Sequence, residues 1–356
     1  MAKEHLGLLL TGLVVGDSLG STSEFTSREE VLALYDKYSS DGWPFAHVGG
    51  GYCKWNPGQV TDDTESALIL AKSYLEHGKF VPEDYAQKLA EWGKGEPQDV
   101  GTTTLLAIGE LIKGVPWNEA ALKDFQRRPM NASNGSLLRN GIVPGMADSL
   151  EEAYRISLYQ GIITHYAPRP VLACALQTFI IREFLEGRNP LKYNWAQKKT
   201  WLKDFHDTWS AWFEKAKAED EIIREWASNI ESRLPAGWNA IREADFDPDS
   251  YNPYVYSPHG GAGYVITTLQ IAIWATRWSL RDEPFPVPAG YPQEVFKKRG
   301  PMVLGWVAMA GGDTDSYGST AGPMIAAAHK ELPGELLDGI ALINEQPDLF
   351  SVNVKA

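Results

Sequence analysis

Two short acidic segments near opposite ends of this 356-residue chain carry the residue types from which a metal site can be built. In the first, GQVTDDTE (58–65), Thr61 precedes the adjacent carboxylates of Asp62 and Asp63 where a loop passes into a helix. Taken alone this is the composition of an ordinary N-cap, whose side chains accept from free N–H groups and suit the positive end of the helix dipole. Two neighbouring carboxylates also repel, and a divalent cation removes that penalty. The second, GGDTDS (311–316), projects Asp313 and Asp315 from one loop beside Ser316, after two glycines that permit unusual backbone angles. By itself it reads equally as a plain turn or a calcium loop. Taken together, four carboxylates and the hydroxyls of Thr61 and Ser316 make an all-oxygen set suited to hard cations, Mg²⁺ or Mn²⁺, with too few histidines for zinc.

Five further segments carry polar chemistry. In GLVVGDSLGSTSEF (12–25), Gly16 and Gly20 read as helix-packing or C-cap glycines and Asp17 as a structural hydrogen-bonding residue. Glu24 stands on a polar loop beyond the helix, where it is either a solvated surface acid or a carboxylate reaching a neighbouring cleft. In QDVGTTTLLAIGEL (98–111), Asp99 precedes Gly101 and a Thr-rich helix start, again a capping composition. NASNGSLLRNGIVPG (131–145) sets Asn134, Gly135 and Ser136 in a turn able to offer N–H groups to a phosphate, with Arg139 as a partner for a carboxylate or phosphate. His165 follows Thr164 at a helix end, a placement more often structural than catalytic, and SPHGGAGYVITTLQIAIW (257–274) puts a Gly-rich loop before a helix opened by Tyr264. That loop can cradle a phosphate, or simply turn over a core tyrosine.

The elements that must position these residues are helical. Apolar residues recur at helical spacing over 64–76, 86–92, 103–113, 153–163 and 170–185, and again over 195–217, 220–234, 264–278, 303–310 and 321–329. The apolar run 6–15 is too short to span a bilayer at about 20 residues and predicts a buried first helix. Alternating Val- and Thr-rich strands are scarce. The expected fold is all-α, a compact orthogonal helical bundle. Three irregular, aromatic- or Pro-rich stretches, 39–58, 244–263 and 281–292, resemble site-lining or core-packing loops more than linkers, so residues 1–356 are expected to form a single domain.

Composition sets outer bounds. Thirteen Trp, 15 Tyr and 12 Phe predict an interior rich in aromatics. A formal charge of −13 without a basic run disfavours stable nucleic-acid binding, and obliges the chain to meet an anionic ligand with metal ions or backbone N–H groups. Cys53 and Cys174 form no C-x-x-C pair, which points to a reducing compartment, and no cleavable leader is visible, so a cytoplasmic, non-membrane protein is expected.

In their order, GDSLGSTSEF, QVTDDTE, QDVGTTT, NGSLLRNG, ITHYAPRP, GYVITTLQIAIWA and GGDTDSYGSTAGPM resemble the ADP-ribosylglycohydrolase family, which includes dinitrogenase reductase-activating glycohydrolases, ADP-ribosyl-arginine and ADP-ribosyl-serine hydrolases and the J1 crystallins. The resemblance implies that Thr61, Asp62, Asp63, Asp313, Asp315 and Ser316 hold two Mg²⁺ or Mn²⁺ ions. It implies that Glu24 is a flap-loop acid and Asp99 a candidate base, with Asp63 beside the chemistry as well as the metal. It implies that Gly135, Ser136 and Leu137 face the ligand diphosphate in a central cleft beside the two metals, that His165 lies on the ligand side, and that Tyr264 lies near the nucleoside, with Gly101 and Asn134 as further substrate-binding candidates. The implied partner is ADP-ribose or an ADP-ribosylated protein, the implied reaction hydrolysis at the anomeric carbon, with arginine favoured as acceptor over serine. A free ADP-ribosyl compound as substrate, or a non-catalytic crystallin-like protein, are the competing readings. The segment 192–262 matches no motif and is expected to be a variable insert near the cleft mouth.

Overall fold

The computed structural model describes residues 2–192, 199–247, 249–254 and 263–350. Helices α1 (Ala2–Gly20), α2 (Arg28–Tyr38), α3 (Asp62–His77), α4 (Pro82–Lys94) and α5 (Thr102–Ile112) come first. Then follow α6 (Leu122–Arg127), α7 (Gly135–Asn140), α8 (Leu150–Ile162), α9 (Pro168–Leu185), α10 (Lys199–Glu219), α11 (Glu221–Ile230) and α12 (Leu234–Glu243). The last four are α13 (Val265–Ser279), α14 (Val303–Ala308), α15 (Thr314–His329) and α16 (Ala341–Glu345). Among the described residues, strand-like pairing is limited to isolated bridges such as Thr26 with Gly312 and Ser133 with Tyr264, so the fold is all-α.

The first helix is buried from Leu6 onward, as its apolar run predicts, and residues 6–24 are all buried. It runs antiparallel to α15 at a separation that no side chain would allow. A Cβ on Gly12 would lie 2.4 Å from the carbonyl oxygen of Gly322, one on Gly16 2.0 Å from that of Gly318, and one on Gly20 2.2 Å from that of Thr314. Spaced four residues apart, the three positions form one stripe down α1. Periodicity underestimates α15, expected from 321, because its first two turns are polar and small, TDSYGST, and carry no apolar stripe. Those turns are nevertheless buried. Pro323 inside the same helix packs against Gly141, where a Cβ would meet the ring at 2.5 Å.

One expected helix is corrected. The span 220–234 divides into α11 and α12, broken over 231–233, with Pro235 in the first turn of α12, where its missing N–H costs no hydrogen bond. Two aromatic clusters fill the interior that the composition predicts. Around α10 to α12, Trp209 stacks on Phe213 at 4.5 Å between ring centroids and meets Trp238 edge-on at 5.4 Å. Beside α13 and α14, Phe285, Phe296, Trp274 and Trp306 pack together with Tyr254, whose hydroxyl donates to the Trp306 carbonyl at 2.6 Å. No described helix is long and apolar enough to cross a membrane.

The α1–α15 contact should tolerate no added carbon. Gly318→Ala is expected to lower unfolding stability by about 3 kcal/mol or more, measured by urea denaturation. Gly109→Ala on α5 is the control: nothing stands within 4 Å of its new Cβ, and helix propensity alone should leave stability unchanged or raised by up to about 1 kcal/mol.

Candidate active site

The antiparallel crossing brings the C-terminal end of α1 against the N-terminal end of α15, and each end carries acids. Beyond α1 the chain turns through Ser21–Phe25 and pairs with the loop before α15: Phe25 N–H donates to Gly312 O at 2.5 Å and Gly312 N–H to Thr26 O at 3.0 Å. Phe25 takes a left-handed φ of 56° in this turn. Glu24, 2% exposed, is thereby carried inward beside Asp313 and Asp315 rather than onto the surface. Asp17 fastens the third element. Its carboxylate accepts from the backbone N–H groups of Thr61 (3.1 Å) and Thr64 (3.2 Å) and from the Thr64 hydroxyl, capping α3 from a neighbouring helix. That is the structural role its sequence suggests. Thr61 is itself the N-cap, accepting from Asp63 N–H, and Asp63 also accepts from Ser319 of α15 at 2.8 Å.

These elements enclose a cavity of about 340 Å³. Glu24, Asp62, Asp63, Asp99, Asp313 and Asp315 line it, together with Ser316, Gly101, Asn134, Gly135 and His165, and no Lys or Arg is among the lining residues. Two segments 250 residues apart in sequence therefore share one wall. Thr61, Ser136, Leu137 and Tyr264 do not line it. Thr61, Ser136 and Leu137 are fully buried behind it, and Tyr264 sits half-buried at the start of α13, bridged to Ser133. The Gly-rich residues 257–262 lie outside the described part of the chain. From the segment expected to shape the mouth, no described residue reaches the lining; Gly263, just past it, does. Lining residues that the sequence reading passed over include Phe25, Thr102 to Thr104 and Ser133. Ser319 was missed too, although it lies three and four residues from Ser316 and Asp315, on their face of the helix.

Arg139 is a correction. It pairs with no carboxylate and faces no open cleft; it is 1% exposed and donates to the Gly135 and Gln160 carbonyls, to Gln160 Oε1 and to Thr164 Oγ1. The cavity acids are left without a cationic partner, and burial with mutual repulsion drives their proton affinities up. Glu24 rises to about 9, first through burial, then through the charges of Asp99, Asp313 and Asp62. Burial also lifts Asp62, Asp63 and Asp315 well above the usual carboxylate range, and Asp99 more modestly, with Asp313 adding to it. Asp313 rises less than burial alone would impose, because Asn134 Nδ2 (2.8 Å) and Gly263 N–H (2.9 Å) donate to it. Cys53, near Glu24 and Asp99, has its thiol pushed up to about 11 by burial and those acids, which makes it a poor nucleophile.

The donor set fits a hard cation. Single oxygens of Glu24, Asp313 and Asp315 lie within 4.8 Å of one another. Glu24 Oε2 and Asp315 Oδ1 are buried with no hydrogen-bond partner, a state costly for a carboxylate unless a cation completes it.

A family model described as ADP-ribosylglycohydrolase matches residues 6–353. The chain belongs to the ADP-ribosylglycohydrolase family. Over 187 residues it is 30% identical to the ADP-ribosylarginine hydrolase Tri1 of Serratia proteamaculans, covering 50% of this chain and 46% of that protein. It is 30% identical over 190 residues to the ADP-ribosyl-[dinitrogen reductase] glycohydrolase of Rhodospirillum rubrum, covering 51% of this chain and 58% of the relative. To the Tri1 hydrolase of Pseudomonas putida it is 33% identical over 277 residues, 75% of this chain and 59% of that one. The matched stretches thus span about half the length of these relatives. A solved structure titled ADP-ribosylglycohydrolase-related protein complex shares the fold, with a TM-score of 0.60, 22% identity and 98% coverage of both chains.

The raised acids of this family member make its stability depend on pH with a definite sign. A carboxyl whose pKa folding raises keeps a proton that the unfolded chain releases, so its contribution is fully present below the ordinary value and lost as pH climbs to the folded value. For Glu24 that window runs from 4.5 to about 9. The melting temperature of chelator-treated protein should therefore fall steadily between about pH 5 and pH 9. Magnesium or manganese at a hundredfold excess over Kd should restore roughly 5 °C or more, with a larger effect at alkaline pH because bound protons compete with the cation. A flat pH profile with no response to either ion would contradict the site.

Proposed function

We propose that this chain is a metal-dependent hydrolase that removes ADP-ribose from a modified acceptor, with the N-glycosidic bond to arginine as the favoured target. The observation that carries the reading is the convergence of six carboxylates on one cavity without a balancing Lys or Arg, two of their oxygens buried and unpartnered. Family membership and relatives named as ADP-ribosylarginine hydrolases support the substrate class. We read residues 1–356 as one such domain.

In this reading Asp62, Asp63, Asp313 and Asp315, with Ser316 and Glu24, hold two divalent cations, Mg²⁺ or Mn²⁺. When bound, the ions supply fixed positive charge to orient the ribose hydroxyls and offset the negative charge that develops in the transition state. Glu24 sits at a junction: its oxygens approach Asp313 and Asp315 on one side and Asp99 and Cys53 on the other. Asp99 is outside the Asp313–Asp315 group and half-buried in the loop just ahead of α5, so it is the side chain free to move a proton. With its pKa raised, it can take a proton from the attacking water and pass one to the leaving nitrogen of the acceptor. Cleavage beside a ring oxygen passes through an oxocarbenium-like state, which the surrounding carboxylates stabilise. Asn134 and Gly263 N–H keep Asp313 from swinging out of position.

Asp313→Ala should reduce release of ADP-ribose from a modified protein by several orders of magnitude while the variant still folds; a near-normal rate would rule the arrangement out. Separately prepared arginine-linked and serine-linked substrates test the acceptor, and selective action on the serine linkage would overturn that part. If wild-type protein binds ADP-ribose with metal but releases no product from either substrate, the fold is serving as a binding module.

A further inference from the structure

His165 and Ser133 belong to the cavity lining beside α5, α7 and the end of α8, and His165 Nε2 and Ser133 Oγ are buried with no hydrogen-bond partner. What His165 can offer a ligand there depends on which of its nitrogens carries the proton, and its neighbours decide that. A guanidinium only donates. Arg139 Nη2 lies 2.5 Å from Thr164 Oγ1, so that hydroxyl must accept. The same oxygen lies 2.7 Å from His165 Nδ1. If Nδ1 carried a proton it would also donate to the hydroxyl, and the hydroxyl's own hydrogen would be left without an acceptor inside the protein, since no other acceptor among the described residues bonds to it. If instead the hydroxyl donates to Nδ1, all three atoms are satisfied and the ring proton stands on Nε2.

We propose that Arg139 and Thr164 are positioning residues that lock His165 in its Nε2-protonated tautomer, so that it presents one fixed N–H donor to an anionic oxygen in the cavity. A doubly protonated ring would place a second cation against the buried guanidinium, and burial together with Arg139 holds the His165 pKa well below its usual value. Arg139 fixes both sides of the arrangement, because its Nη1 also donates to Gly135 O at 2.8 Å, and Gln160 anchors it through Oε1 at 2.9 Å. Gly135 leaves room at the ring: a Cβ there would stand 3.0 Å from His165 Cε1 and 3.3 Å from Nε2. A donor N–H in a lining that also carries the Ser133 hydroxyl suits a phosphate oxygen. Naming that oxygen as one of the ADP-ribose diphosphate rests on the function proposed above; the tautomer lock does not.

The test needs no ligand at first. In full-length protein with ¹⁵N-labelled histidine, free of metal, the two-bond ¹H–¹⁵N couplings of His165, assigned by loss of its signals in His165→Gln, should show Nε2 protonated and Nδ1 bare at neutral pH. A proton on Nδ1, or on both nitrogens, overturns the proposal whatever the variants do. Thr164→Val should release the ring into a mixture of tautomers and weaken ADP-ribose binding about tenfold by calorimetry, while Thr164→Ser should keep both the tautomer and the affinity. If Thr164→Val folds and retains the wild-type tautomer, Thr164 is not the lock and the proposal falls. If the wild-type ring is Nε2-protonated but ADP-ribose does not bind with magnesium present, the lock stands and the substrate reading fails.

Discussion

Everything in the site depends on two helices touching backbone to backbone. At Gly12, Gly16 and Gly20, α1 meets Gly322, Gly318 and Thr314 of α15 so closely that a single added carbon would overlap a carbonyl group. Because the two helices are antiparallel, the contact fixes the end of one against the beginning of the other, and those termini deliver Glu24 and the Asp313–Ser316 segment to the same place. The third acidic segment is tied to the same axis. Asp17, one residue past the Gly16 contact, spends its carboxylate on the start of α3 and thereby positions Asp62 and Asp63. A side chain outside the cavity lining thus governs the geometry of two within it.

The interlock imposes an electrostatic cost that the protein chain does not relieve. Buried acids are ordinarily matched by Lys or Arg, yet Arg139, which bonds the lining residue Gly135, is wholly engaged with uncharged oxygens. The imbalance is confined to one region and directional. Five of the six carboxylates gather where α1 ends and α3 and α15 begin, the sixth, Asp99, stands just ahead of α5, and Thr102 to Thr104, Asn134 and His165 add neutral polar groups.

The segment that matched no motif has an answer in packing rather than in the cavity. Helices α10 to α12 bury Trp209, Phe213, Trp226 and Trp238 against one another and against the end of α8, with Trp226 Nε1 donating to Tyr166 O at 2.9 Å and Arg155 and Tyr159 holding Asp220. Tyr166 follows His165 directly, so this aromatic layer buttresses the wall that carries the imidazole without contributing to its surface.

The sequence by itself determined the helical class, the two acidic segments and the oxygen chemistry they imply, because these follow from local periodicity and from residue type. It also marked Asp17 as structural and Gly16 as a packing glycine. Tertiary structure alone decided the rest. Glu24 stays open between a solvated loop acid and a cleft carboxylate until a left-handed turn at Phe25 folds it inward. Arg139 reads as an anion partner until α8 surrounds it with carbonyl and amide oxygens. The first half of α15 shows no apolar stripe, since its partner is a bare glycine ridge and small polar residues suffice to pack against it. In each case the deciding quantity is what lies opposite the residue across the core, and no pattern within a single segment encodes its neighbour from another.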